Sequence, residues 1–111
     1  MAESTAEAVA NVESAVSGEL ADDGVELWSL FRYTHRELPS ASAGEVMEVV
    51  EQVLQNLIGG GVRVGETDDK TGEFSYWNED APVARIMFEA RALGREPNIG
   101  DVAWLVKDVL P

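Results

Sequence analysis

The chain contains no cysteine. Disulfides, thiolate metal sites and cysteine nucleophiles are therefore excluded together. There is one histidine, His35, so no histidine pair is available for a metal or a proton relay. Basic residues are scarce: eight Lys and Arg stand against 21 Asp and Glu, a formal net charge of −13. No apolar run approaches the roughly 20 residues that span a bilayer. The first residues, MAESTAEAVANVESAVSGEL, carry acids where a signal peptide would carry bases. A cytoplasmic protein with no membrane association is expected.

What is present suits one domain. A chain of 111 residues with 45% hydrophobic residues can build a single core. Its acidity is uneven: residues 1–24 hold six acids and no base, residues 41–58 add −3 and residues 59–80 add −4, while the remaining stretches balance. Such a chain repels nucleic acid and anionic membranes at long range and favours encounter with basic partners.

Along the chain, Ser4 and Glu7 have capping-box spacing, followed by a thin stripe of Val9, Val12, Val16 and Leu20. Residues 1–22 read as a weak helix or an acidic N-terminal arm, and residues 23–111 as a single domain. Asp23 and Glu26 repeat the capping spacing before a helix with Leu27, Leu30, Phe31, Thr34 and Leu38 on one face, which Pro39 ends. Ser42 and Glu45 cap the central helix. Its apolar face runs Val46, Val49, Val50, Val53, Leu54, Leu57 and Ile58, and Gly59-Gly60-Gly61 terminates it. So many β-branched residues require tertiary packing to hold the helix.

Alternation over Val62-Arg63-Val64 and Phe74-Ser75-Tyr76-Trp77 predicts a hairpin with its tip at Asp68–Gly72 and Gly72 in the left-handed position. Asp80-Ala81-Pro82 starts a further helix, with Val83, Ile86, Met87, Ala90 and Leu93 inward and an Arg85–Glu89 pair. Asn98 and Asp101 then read as the cap and first turn of a last helix carrying Val102, Leu105, Val106 and Val109. The expected architecture is α+β and mostly helical, in the order α-α-α-β-β-α-α with one antiparallel hairpin.

Little here suggests catalysis. His35 suits a surface or helix-end role, the serines form no nucleophile elbow, and the tip ETDDKTGE lacks both calcium-loop ligand spacing and the glycine of a phosphate loop. No enzyme activity, metal or cofactor is expected.

From Leu27 to Trp77 the element order resembles winged-helix domains, which implies contact with DNA. Strong DNA binders make about six to ten phosphate contacts. The central helix offers Gln52, Gln55 and Asn56 for base edges but presents Glu45, Glu48 and Glu51 to the backbone. The stretch Ala92-Leu93-Gly94-Arg95-Glu96-Pro97-Asn98-Ile99-Gly100-Asp101-Val102-Ala103-Trp104 resembles the tail of small acidic bacterial proteins of uncharacterised role, some of which look like immunity proteins.

The leading expectation is a non-enzymatic protein-binding module, an immunity or inhibitor protein that meets a basic partner such as a toxin. Glu45, Glu48, Glu51, Asp68, Asp69 and Glu73 would steer, and Trp77 would anchor, with Trp28, Tyr33 and Trp104 as further aromatic candidates. The runner-up is a winged-helix transcriptional regulator using Arg63, Lys70 and the Arg32/Arg36 pair on DNA. A homodimer through the C-terminal helix is a further expectation, and a structural adaptor is the third reading.

Overall fold

A computed structural model describes residues 4–68 and 70–107. The order is α1 (Thr5–Leu20), β1 (Val25–Glu26), α2 (Leu27–Glu37), α3 (Ala43–Gly59), β2 (Val62–Thr67), β3 (Phe74–Tyr76), α4 (Pro82–Ala92) and β4 (Trp104–Lys107). The four strands form one antiparallel sheet in the order β1-β4-β2-β3. The fold is α+β.

The central helix forms as its sequence dictates. Ser42 Oγ accepts from the Glu45 N–H, and the Glu45 carboxylate reaches back to the Ser42 N–H. Val46, Val49, Val50, Val53, Leu54 and Leu57 are all buried. At the far end the chain turns through Gly61 at φ +106°, a conformation that costs glycine little. The thin stripe of α1 is sufficient for docking: Ala8, Val12, Val16 and Leu20 are buried. Its acids help to place it. Glu13 accepts from Asn56 of α3, and the Tyr33 hydroxyl of α2 donates to Glu19. Asn11 donates in turn to Glu37 of α2.

One local expectation is corrected at the start of α2. The Asp23/Glu26 spacing does not cap α2, which begins only at Leu27. Asp23 instead accepts from the next N–H, that of Gly24, and Val25-Glu26 is an edge strand. Glu26 accepts from Trp28 Nε1 and from the Gly100 N–H, 74 residues away in sequence.

The larger correction lies at the C-terminal end. Asn98 and Asp101 build a turn, not a helix start: Asp101 Oδ2 accepts from the Asn98 N–H and from Arg95 Nη1. Gly100 follows at φ +86° and Val102 sits at φ +65°, where a β-branched side chain is strained. Right-handed helix cannot propagate through that geometry, and Trp104–Lys107 extends as a strand between β1 and β2. Leu105 pairs with Val25 on one side and Val64 on the other. The homodimer expected through a C-terminal helix loses its surface, because Leu105 is buried in the domain's own core. Val109 lies outside the described residues.

Strand alternation divides the sheet into two faces. Val25, Val64 and Leu105 point to the helices and join the core with α1, α2, α3 and α4. The opposite face carries Glu26, Trp104, Gly65 and Tyr76 in one cross-strand row, with Arg63 and Val106 beside it. Among the described residues, no helix is long and apolar enough to cross a membrane.

Candidate functional site

The outer face of the sheet brings Phe74, Tyr76 and Trp104 to one side of the molecule. Tyr76 is 47% exposed and meets Phe74 edge to face at 5.1 Å between ring centroids. The Arg63 guanidinium lies 3.7 Å from the centre of the Tyr76 ring, within the range of a cation–π contact. Trp104 and Val106 continue the surface across β4, half-buried.

Two glycines permit this layer to lie flat. A Cβ on Gly24 would come within 3.2 Å of the Trp104 ring and 3.3 Å of Val106, and one on Gly65 would meet the Phe74 ring at 2.3 Å. The face is therefore built by backbone that leaves room for rings.

Acidic groups border it. Asp22 and Asp23 precede Gly24 and share a shallow cleft with Val106. Glu26 pairs across the strands with Trp104. At the hairpin end stand Asp68 and Glu73, both exposed. Asp68 is held in the turn by the Thr71 and Lys70 N–H groups. Those two bonds, Thr71's first, keep its carboxyl below the ordinary 3.8. Asp101 is lowered likewise, by the Arg95 side chain first and then the Asn98 N–H.

Because both carboxyls are depressed in the folded state, their contribution to stability is complete above pH 3.8 and is lost as pH falls through their folded values. In an NMR titration the Lys70, Thr71 and Asn98 amide signals should therefore move with midpoints below 3.8. Midpoints at or above that value would contradict these bonds.

The site residues expected from the sequence are dispersed. Glu45 is engaged in its own helix cap, while Glu48 and Glu51 follow on α3, away from the hairpin in sequence and on a different element. Asp68 and Glu73 share the hairpin end, where the Asp68 N–H donates to the Glu73 carbonyl. Asp69 lies outside the described residues. Trp77 falls on the side of the hairpin opposite Phe74 and Tyr76, half-buried against the core beneath Arg85, which lies 3.7 Å from its ring centre. Its buried Nε1 finds no hydrogen-bond partner among the described residues. Arg85 is bound to Glu89 and Glu79 and is held firmly charged, chiefly by the Glu89 hydrogen bond.

Of the other aromatic candidates, Tyr33 is tied to α1 through Glu19, and Trp28 to Glu26. Trp104 faces the same side as Tyr76. The combination of Arg63, Phe74, Tyr76 and Trp104 was not legible as a group, because Trp104 joins it only once β4 is recognised as a strand. Their one local signal was the alternation of Phe74 and Tyr76.

His35 Nε2 lies 2.7 Å and 2.9 Å from the two carboxylate oxygens of Glu96, which pins the 94–97 turn to α2. Among the described residues, no group of three or more His, Asp or Glu side chains is arranged to hold a metal ion. Compared with protein-family models, curated proteins and solved structures, the chain matches none.

Proposed function

We propose that the protein is a non-catalytic binding module of the cytoplasm that docks a basic protein partner on the open face of its sheet. The observation that carries this reading is the aromatic layer of Phe74, Tyr76 and Trp104, with Arg63 on Tyr76, bordered by acids at both ends. Productive interfaces pair an aromatic centre with a polar rim, and the aromatic and Arg side chains there dominate affinity. The net charge of −13 supplies the long-range attraction. Glu48, Glu51, Asp68, Asp69 and Glu73 act in that field by steering rather than by contact. In its most concrete form the reading is an immunity or inhibitor protein capping a basic toxin.

A winged-helix reader of DNA has less support. Asn56 donates to Glu13 and accepts from Gln52, so two of the three expected base-reading side chains are engaged within the protein.

The test is differential capture from the native cell with wild type and Tyr76→Ser/Phe74→Ser. Wild type should retain a basic protein at low salt and release it at high salt, and the double variant should retain at least about tenfold less. Equal retention by both, or a retained partner that is acidic, would refute the docking face.

A further inference from the structure

A second surface, separate from the sheet, has the makings of a small-molecule site. Between α2, α3 and α4 the 94–97 turn closes a cleft of about 300 Å³. Phe31, Met47, Ala90 and Pro97 make its walls largely apolar. A cleft of this size lies at the lower end of the range for small ligands, which typically meet apolar walls and a few placed polar groups.

The polar groups at the cleft are Arg91, Arg95 and Glu96. Two of them are engaged. Glu96 is held through both oxygens by His35, and Arg95 Nη1 donates to Asp101 and to the Glu96 carbonyl. Arg91 differs: its guanidinium makes no hydrogen bond, ion pair or ring contact among the described residues. The other arginines are paired with carboxylates or lie over aromatic rings. In so acidic a chain an unpaired guanidinium beside an apolar cleft is an exception. A guanidinium offers a planar fork of donors that matches a carboxylate, and the charge-assisted bonds it forms are the strong ones.

We propose that this cleft binds a small amphipathic carboxylate, with its apolar body against Phe31, Met47 and Pro97 and its head group on Arg91. Glu96, already bound to His35, and the acidic character of the chain both select for ligands carrying one negative charge rather than several.

Octanoate below its micellar concentration is the probe, with octanol and octylammonium as matched controls. In NMR titrations octanoate should shift the Met47 methyl and the Arg91 Nε signals, while octanol binds more weakly and octylammonium does not bind. Arg91→Gln, an exposed position, should weaken octanoate by about tenfold or more. Ala43→Trp, at the cleft lining on the first turn of α3, should block it without touching Arg91. Octanoate leaving Met47 unmoved, octanol binding as tightly as octanoate, or undiminished binding by Arg91→Gln would each overturn the assignment.

Discussion

Gly65→Val is expected to destabilise the protein by about 2–4 kcal/mol, because the position is buried against the Phe74 ring and the paired strand. A Cβ at this position would lie 2.3 Å and 2.7 Å from Phe74 ring atoms and 2.5 Å from the Ser75 carbonyl oxygen. A ring can rotate away from such a contact, but the carbonyl belongs to the paired strand, so β3 itself must move. Thr67↔Phe74 and Gly65↔Tyr76 pairing would be lost, and with it the aromatic layer that the proposed function needs. Gly18→Ala provides the contrast. Nothing lies within 4 Å of a Cβ at Gly18, and relief of glycine in the interior of α1 should stabilise by about 0.5–1 kcal/mol. Denaturant unfolding of the two variants side by side checks both signs.

Leu105→Asp should leave the domain largely unfolded, while Val106→Asp should cost about 1 kcal/mol. Leu105 is 1% exposed among Val25, Val64 and the helices, so a carboxylate there would be buried without a partner. Its neighbour faces the other side of the sheet, half-buried and bordering solvent. Such opposite outcomes at adjacent positions belong to a strand, whose side chains alternate. On the helix expected from the sequence both residues belong to one inner stripe, and both substitutions would be severe. Circular dichroism with thermal melts of the two variants distinguishes these cases.

The contrast also marks how far the sequence could be read. The central helix was legible to its ends because cap, stripe and glycine stop are all local, and the structure returns the capping box and the buried valines. So was the hairpin, with Gly72 at φ +74° in its turn. The Arg85–Glu89 pair and the proline at the start of α4 follow from spacing in the same way.

What could not be read depends on partners distant in the chain. Val25-Glu26 is too short to show a period, and it is a strand only because β4 lies beside it. Trp104-Leu105-Val106-Lys107 fits either a helix or a strand by composition, and short apolar runs carry no period that separates them. The deciding residues are Gly100 and Val102, whose left-handed conformations end any helix begun at Asn98. Asp101, a first-turn acid by its spacing, instead closes the turn onto Arg95. The candidate site depends on the same segment. On a helix, Trp104 has no reason to stand beside Tyr76, and the acids of the central helix are the more visible surface in the sequence. The sheet face becomes visible only when β4 is placed between β1 and β2.

The most direct test of the docking face is residue-resolved chemical-shift mapping of the protein against its captured basic partner, with Asp, Glu and aromatic positions assigned. The largest perturbations should cluster on Arg63, Phe74, Tyr76, Trp104 and Val106, with smaller, salt-sensitive changes at Asp68 and Glu73. Perturbations centred on Glu45, Glu48 and Glu51 of the central helix, with the sheet face unmoved, would contradict it.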